Sequence, residues 1–343
     1  MSAPAPDVSA IVLNYDGRGV VEEAVESLVA QRGPSLEVIV VDNGSRDGSD
    51  AAIEVRFHDR VRLLSAGRNL GFGAGNNLGL RQAHGRHVVL LNNDAVAAPG
   101  FVESLVEAAE TGPRVGMVAA KVLDYEHRDR IDTVGHLLYP DGLNRGRGRL
   151  ENDRGQYDAC RTALFPSGAA CLYRRAMLDE IGLFDESFFL YGDDAELGLR
   201  GRVAGWECAL APRAVAWHHY SRSAGAWSPL KAFHVERNRV WVLLRSFPAA
   251  LVAASPAWTA LRIALQLYGA LSGRGAAGRL ARESSVPSLA ALTLRAWAQA
   301  LRGAPRVLRG RRRDRPLRRL TDREFRRLLR EFRLSARELA LKD

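Results

Sequence analysis

Short apolar runs that end in polar residues alternate with helical spacing along the first 125 residues of the chain. Five runs predict buried strands: VSAIVLN (8–14), LEVIVVD (36–42), VRLLSA (61–66), HVVLLNND (87–94) and VGMVAAKV (115–122). Apolar residues at helical spacing predict helices at about 20–30, 74–83 and 99–110. Strands that alternate with helices predict an α/β protein with a doubly wound sheet.

Four predicted strands end in polar residues, namely Asn14, Asp42, Asn92 with Asp94, and Lys121. Ligands of open α/β sheets bind beyond the carboxyl ends of the strands, so these side chains are expected in one crevice. Asn92 and Asp94 are two residues apart and lie on the same side, where their oxygens suit Mg²⁺ or Mn²⁺. The alternatives are an Asx-turn at Asp94 and a simple turn after Asp42.

The stretch NLGFGAGNNLG, 69–79, is rich in glycine and precedes a predicted helix. Its backbone N–H groups could bind a phosphate, or its glycines could allow close packing. The dinucleotide fingerprint of a Rossmann dehydrogenase would follow the first strand, which instead runs into NYDGRG.

The stretch FFLYGDDAELGLR, 188–200, contains three carboxylates within four positions. A surface helix would use Asp193 or Asp194 as its N-cap and pair Glu196 with Arg200. This interpretation assigns no role to the remaining aspartate, which directly follows the aromatic residues of FFLYG. A general base needs such a placement, near an apolar wall that can raise its pKa.

Two adjacent histidines, His218 and His219, follow a short apolar run in AVAWHHYSRS, 214–223. Residue type alone leaves two readings open. Either histidine is a satisfied polar group at the end of a strand, or it completes a metal shell begun by Asp94.

Beyond the predicted sheet, the segment 124–160 is rich in Gly, Arg and Asp and predicts a loop or hairpin insertion that covers the site. The chain becomes helical and apolar after about residue 232. Pro248 and Pro256 are expected to break any spanning helix, so an interfacial element is favoured over a transmembrane one.

The formal charge of +10 is concentrated in one segment, because residues 301–333 carry fourteen Arg and four acids. A basic amphipathic helix on anionic lipid explains this segment better than nucleic-acid binding does. Three cysteines without a CxxC pair, and no visible secretory signal, indicate a cytosolic setting.

Taken together, six stretches in this order resemble the family 2 glycosyltransferases, and within them the bacterial rhamnosyltransferase-like branch. They are VSAIVLNYDG, VIVVDNGSRDGS, RNLGFGAGNN, LLNNDA, GAACLYRRAMLDEIGLFDESFFLYGDDAELGLR and VAWHHYSRS, and they span roughly 7–225. The resemblance implies a GT-A fold, in which a Rossmann-like mixed sheet flanked by helices binds a nucleotide-sugar and Mg²⁺ or Mn²⁺. It implies a nucleotide-sugar transferase domain at 1–225 and a helical, membrane-associating region at 226–343.

The resemblance also implies roles for individual residues. Asp194 would be the catalytic base, with Asp193 as the other candidate, and Asp94 and His218 would bind the metal, with His219 as the fallback. The nucleotide-sugar would be bound by Asn14, Asp42, Arg68, Asn69, Gly71, Asn92, Asn93 and Gly168. Asn92 stands where the family's metal motif has its first acid, and Asp193 where glutamate is usual.

The implied reaction is an inverting, metal-dependent transfer of a rhamnose-like or other sugar from a dTDP- or UDP-sugar. Its acceptor would be a hydroxyl of a glycan or lipid-linked glycan in cell-surface polysaccharide synthesis, at the inner face of the cell membrane. The anionic membrane would bind the Arg-rich C-terminal region, and nucleic acid is not an expected partner. The rival readings are a degenerate, membrane-docked sugar-binding scaffold and a sugar-nucleotide pyrophosphorylase.

Overall fold

A computed structural model describes residues 5–219, 228–271 and 286–341. The chain forms two compact units. The N-terminal unit comprises residues 1–136 and 146–225, and the C-terminal unit comprises residues 137–145 and 226–343.

Eleven strands are formed by the described residues. They are β1 (Val8–Asn14), β2 (Leu36–Asp42), β3 (Arg62–Ser65), β4 (His87–Asn92), β5 (Ala95–Ala97), β6 (Val115–Asp124), β7 (Ile131–Thr133), β8 (His136–Leu138), β9 (Asn144–Gly146), β10 (Ala170–Arg174) and β11 (Glu207–His218). The central sheet has the order β3-β2-β1-β4-β10-β6-β11-β5, with β7 paired to β6, and β8 and β9 form a separate hairpin.

The central sheet is mixed, as expected. Strands β1 to β4 are parallel neighbours, whereas β10 runs antiparallel to both β4 and β6. In this part of the sheet β1, β4 and β10 are nearly fully buried, which explains why β1 and β4 are continuous apolar runs in the sequence. The parallel strands β1, β2 and β4 direct Asn14, Asp42 and Asn92 to the same edge.

Six helices belong to the N-terminal unit: α1 (Val21–Val29), α2 (Ser49–Phe57), α3 (Phe72–Gln82), α4 (Phe101–Ala109), α5 (Arg175–Ile181) and α6 (Asp193–Val203). Helix α3 packs closely on β1 because it carries glycines at the contact. A Cβ atom on Gly75 would lie 2.5 Å from Leu13, and one on Gly79 would lie 2.8 Å from Ile11. The packing interpretation of these two glycines is therefore supported.

Five helices of the C-terminal unit are described: α7 (Pro229–Ser246), α8 (Ala249–Leu271), α9 (Val286–Asp314), α10 (Asp322–Glu331) and α11 (Ala336–Leu341). Helix α10 begins with a capping box between Thr321 and Glu324. Its apolar face is buried in this unit, where Phe325 contacts Phe247 with a centroid separation of 5.0 Å.

A cluster of buried charges links 137–145 to α7 and α8 within the C-terminal unit. Asp141, which is fully buried, accepts a hydrogen bond from Arg262 Nε at 2.7 Å. Arg262 also donates to Glu236, which in turn accepts from Arg239. Two acids and two arginines satisfy one another, which offsets the cost of burying them.

Two expectations from the sequence are wrong in detail. Pro256 does not end a helix, because it lies inside α8, and the segment Ala249–Gly269 is long and apolar enough to cross a membrane. Lys121 does not end a strand, since β6 continues to Asp124 and the Lys121 ammonium pairs with Asp153 and Asp158. The segment 124–160 contains three short strands, of which β8 and β9 form a hairpin, in agreement with the predicted loop or hairpin insertion.

Candidate active site

The last residue of β11 and the turn after β4 bring an imidazole and a carboxylate together. His218 Nε2 lies 3.2 Å from Asp94 Oδ1 and 3.4 Å from the amide nitrogen of Asn92. The pairing of β11 with β5 fixes this approach, because His218 is in register with Ala95. The structure thus joins three of the predicted site residues, and both Asp94 and His218 are buried.

The other ring nitrogen of His218 faces an acid that the sequence analysis did not identify. His218 Nδ1 lies 3.0 Å from Asp132 Oδ2, and Asp132 Oδ1 accepts from Arg149 Nη1 at 2.7 Å. Both new residues come from the segment predicted to be a loop or hairpin insertion. The alternation IDTV at 131–134 was the one local signal, since it is the pattern of a short half-buried strand.

These contacts set the charges of the cluster. Burial would lower the pKa of His218, but its hydrogen bonds to Asp132 and Asp94 raise that pKa to about 10. Burial would likewise raise the pKa of Asp94 and of Asp132, but His218 lowers both. In this arrangement an imidazolium lies between two carboxylates.

The cluster has the chemistry of a divalent metal site with few protein ligands. The Asp94 carboxylate and the His218 imidazole are an oxygen and a nitrogen donor suited to Mn²⁺, and the carboxylate is suited to Mg²⁺. Among the described residues, no group of three or more His, Cys, Asp or Glu is placed to hold a metal ion. Phosphate oxygens and water would have to complete the coordination.

Asn14 and Asn93 connect the ends of β1 and β4. The Asn14 amide donates to Ser49 at 2.8 Å and to Ser45 at 3.2 Å, and its carbonyl oxygen accepts from Asn93. Both amide hydrogens of Asn14 are therefore used within the protein. Asp42 accepts from the backbone of the following turn, including Ser45 N–H at 3.3 Å, which supports the turn reading for its carboxylate.

The backbone N–H groups at the start of α3 are hydrogen-bonded within the protein. Asn43 Oδ1 accepts from Leu70 N–H at 2.9 Å, and Asn69 Oδ1 accepts from Gly71 N–H at 2.8 Å. Phe72 N–H donates to the Phe189 carbonyl at 2.6 Å. These three amides of the glycine-rich stretch 69–79 therefore have partners within the protein.

Gly71 is required where α3 meets the aromatic loop 188–192. Its φ is +83°, and a Cβ atom would lie 2.3 Å from the Phe189 carbonyl oxygen. Phe189 and Tyr191 have positive φ values of 68° and 63°, which are strained for aromatic residues. This strained loop leads directly into the acids of α6.

Neither acid is the N-cap of α6, because that position is Gly192. Asp193 is buried, and its Oδ2 has no hydrogen-bond partner among the described residues. Burial and the charge of Asp194 raise the pKa of Asp193 well above its usual value. The expected pair of Glu196 and Arg200 is present at 2.8 Å, although it is buried rather than on the surface.

Asp194, in contrast, is partly exposed and held by backbone amides. Its Oδ2 accepts from Gly168 N–H at 3.3 Å, and its Oδ1 accepts from Ala195 N–H at 2.8 Å. The neighbouring Ala169 carbonyl accepts from Asn92 N–H at 2.8 Å, which links Asp194 to the end of β4. Gly168 packs against Phe72, where a Cβ atom would lie 2.7 Å from the ring.

His136 is a further neighbour of Asp194 that the sequence analysis missed. Its ring stacks on Phe165 with centroids 5.1 Å apart. Burial lowers the pKa of His136, whereas the charges of Asp194 and Asp132 act in the opposite direction.

The remaining predicted residues are more peripheral. Arg68 is exposed, and its backbone lies against Gly44, whose Cβ atom would be 2.6 Å from it. His219 stacks on Tyr125 with centroids 3.6 Å apart, whereas His218 is the histidine at Asp94. Residues 220–223 of the histidine motif lie outside the described residues.

The sequence of this chain matches a known protein family and several named proteins. The profile described as "Glycosyltransferase like family 2" matches residues 4–242. The chain belongs to glycosyltransferase family 2. This glycosyltransferase is 27% identical over 296 residues to N-acetylglucosaminyl-diphospho-decaprenol L-rhamnosyltransferase of Mycobacterium tuberculosis, covering 79% of this chain and 94% of that one. It is 32% identical over 233 residues to the O-antigen biosynthesis protein RfbC of Myxococcus xanthus, covering 64% of this chain and 18% of that one.

Solved structures support the GT-A fold of this glycosyltransferase. A mannosyltransferase of Pyrobaculum calidifontis in complex with GDP-Man and Mn²⁺ aligns with a TM-score of 0.52 and 18% identity, covering 87% of this chain and 88% of that one. Residues 1–349 of S. aureus TarS in complex with UDP-GlcNAc align with a TM-score of 0.54 and 17% identity, covering 94% and 92%. The predicted enzyme class and fold are confirmed.

Proposed function

We propose that this glycosyltransferase transfers a sugar, rhamnose or a similar hexose, from a dTDP- or UDP-sugar to a hydroxyl of a lipid-linked glycan, with inversion and with a divalent metal. The observation that carries the proposal is the approach of His218 Nε2 to Asp94 Oδ1, within 3.2 Å, beyond the ends of the parallel strands. The named rhamnosyltransferase relative supports the choice of sugar and acceptor class.

The donor would bind along the edge formed by β1, β2 and β4. Asp42 would receive the ribose or base with the lone pairs that its two turn hydrogen bonds leave free. Asn14 and Asn93 would hold the surrounding turns in place through their mutual hydrogen bond. Arg68 and Asn69 would flank the diphosphate, where the exposed guanidinium can neutralise negative charge. A cation bound by Asp94 and His218 would supply further positive charge for the departing diphosphate.

Asp194 would act as the general base. It is partly exposed, and the Gly168 and Ala195 amides fix its carboxylate. The carboxylate would take the proton of the acceptor hydroxyl while the hydroxyl oxygen forms a bond to the anomeric carbon. The bond from that carbon to the diphosphate breaks, and its electron pair leaves with the diphosphate. One such displacement inverts the anomeric configuration.

We also infer peripheral attachment to the inner face of the cell membrane, through α8 and α9 as well as through the arginines of 301–333. Helix α8 buries Ser255 and Arg262 but exposes large apolar side chains such as Leu267 and Tyr268. A helix on a water-exposed surface buries its apolar side chains and exposes its polar ones, and α8 does the reverse.

Helix α9 adds a leucine row beside an arginine row. Leu294, Leu301 and Leu308 are exposed at seven-residue spacing, and each is followed by an exposed arginine. Leucines next to arginines fit a surface of acyl chains and anionic headgroups. The buried apolar face of α10 is not available for this purpose.

Donor binding is tested by calorimetry with dTDP-rhamnose, UDP-galactose, UDP-N-acetylglucosamine and GDP-mannose, with and without Mn²⁺. Wild type, Asp94→Ala and a matched control, Asp129→Ala, are compared, because Asp129 is an exposed acid of the insertion. We expect Mn²⁺-dependent binding of a dTDP- or UDP-sugar that is lost only in Asp94→Ala. Equal binding without Mn²⁺ would contradict the metal role, and binding of GDP-mannose alone would contradict the donor class.

Membrane attachment is tested by co-sedimentation with phosphatidylglycerol vesicles. The double variant Leu294→Glu with Leu301→Glu is expected to reduce the bound fraction, while Val55→Glu, on an exposed valine of the N-terminal unit, is expected to leave it unchanged. Undiminished binding of the double variant would contradict the assignment of α9 to the lipid surface.

A further inference from the structure

The imidazole of His218 is held from both sides, and the two sides have different surroundings. Nε2 faces Asp94 at 3.2 Å at the strand ends, and Nδ1 faces Asp132 at 3.0 Å on the opposite side of the ring. The two nitrogens of an imidazole point in diverging directions, so one ion cannot be bound by both. Asp132 therefore does not belong to the same ligand set as Asp94.

Asp132 is fixed more firmly than a surface carboxylate. Its Oδ1 accepts from Arg149 Nη1 at 2.7 Å, and its side chain is only 12% exposed. The backbone is fixed as well, because β7 pairs with β6 and β6 pairs with β11. Arg149 and the β7–β6–β11 ladder thus hold Asp132 at a set distance from His218.

We propose that Asp132, braced by Arg149, is the positioning residue that fixes the tautomer and ring orientation of His218, so that Nε2 presents its lone pair to the metal beside Asp94. This inference rests on the metal role in the proposed function.

The imidazolium of the metal-free site loses its Nε2 proton when that nitrogen binds a metal, so the ring is neutral in the ligated state. A neutral ring has one N–H and one lone pair, and a carboxylate at Nδ1 accepts the N–H. The lone pair then has to lie on Nε2, on the side of Asp94. Ligating histidines commonly donate their second ring N–H to a carboxylate in this way, and loss of the carboxylate weakens metal binding.

Arg149 has a separate effect in this arrangement. It occupies the second oxygen of Asp132, so the carboxylate cannot rotate away from His218 without losing that ion pair. The segment 124–160 thereby contributes to the donor site through Asp132 and Arg149, although it supplies none of the expected ligands.

The test measures the dissociation constant of Mn²⁺ on the full chain, with UDP present, from the electron paramagnetic resonance signal of free Mn²⁺. Asp132→Asn should raise this constant by about 10–100-fold. Asp129→Asn is the matched control, since Asp129 lies three residues earlier and is exposed, and it should leave the constant unchanged. Asp94→Ala should remove Mn²⁺ binding altogether.

The outcomes separate this inference from the function on which it rests. If Asp94→Ala abolishes Mn²⁺ binding while Asp132→Asn leaves it unchanged, the positioning role is wrong and the metal-dependent function stands. If wild type does not bind Mn²⁺, both are wrong. Should Asp132→Asn fail to fold, as judged by thermal unfolding, Arg149→Gln decides, because an unaltered dissociation constant in that variant would overturn the role of the braced carboxylate.

Discussion

Replacement by asparagine should have different effects on transferase activity at the two adjacent acids at the start of α6. Asp194 is partly exposed and bound by amides, whereas Asp193 is buried and its pKa is raised well above its usual value by burial and by Asp194. Asparagine resembles a neutral carboxylic acid in shape and hydrogen bonding. We therefore expect Asp193→Asn to retain most of the transferase activity, and Asp194→Asn to lose about 10²–10⁴-fold, the contribution of a general base.

The pH dependence of stability gives a second, independent measure of the same pair. The folded-state pKa of Asp193 lies above its unfolded value, so its contribution to stability is complete at low pH and decreases as the pH rises through the window between the two values. The loss is at most about 1.4 kcal/mol per pH unit. An asparagine side chain does not titrate, so the Asp193→Asn variant escapes this loss.

The assay compares the melting temperatures of wild type and Asp193→Asn from pH 4 upwards, together with sugar transfer near neutral pH. The advantage of the variant should grow with pH, by up to roughly 3–6 °C per pH unit for a domain of this size. A constant difference in melting temperature would show that Asp193 is not a buried neutral acid. A folded Asp193→Asn variant as inactive as Asp194→Asn would make Asp193 the base.

Two further predictions concern packing and buried charge. Gly71→Ala should lower both the melting temperature and the sugar-transfer activity, because its Cβ atom would meet the Phe189 carbonyl. Gly67→Ala is the control, since Gly67 has a φ of +69° and its Cβ atom would have no neighbour within 4 Å, and it should lower the free energy of unfolding by only about 1–2 kcal/mol. Asp141→Ala should lower the free energy of unfolding in urea by about 3–5 kcal/mol, because two buried arginines are then left with Glu236 as their one shared carboxylate. Asp322→Ala, at an exposed ion pair, should lower it by about 0–1 kcal/mol. Equal losses within either pair would refute the corresponding argument.

The parts of the fold that follow from local pattern were predictable. The strands that became β1, β2 and β4 are continuous apolar runs, and their polar ends reach one edge because parallel neighbours share a direction. The presence of Asp94 and His218 at one place was inferred from the family resemblance and not from spacing. These two residues are far apart in sequence and are joined only by the pairing of β5 with β11.

The parts that were missed depend on long-range pairing or on a proline that a helix accommodates. Asp132 is 86 residues from its partner His218, and no local rule connects an acid in a short alternation to a distant imidazole. Pro256 was expected to break a helix because its ring removes a backbone hydrogen bond. It nevertheless lies inside α8 as an exposed residue.

The local rules fail together at residues 189–193, and the coincidence is informative. Glycine takes the N-cap position although two aspartates follow it, two aromatic residues adopt positive φ, and a carboxyl group is buried with an oxygen that has no hydrogen-bond partner among the described residues. Each departure costs stability, and the surrounding structure has to impose it. Together they turn Asp193 inwards and leave the next carboxylate outside, against the Gly168 amide. A surface helix would not need this arrangement, because a plain aspartate cap would stabilise its start at lower cost. The strain is better explained by the position that it gives to Asp194.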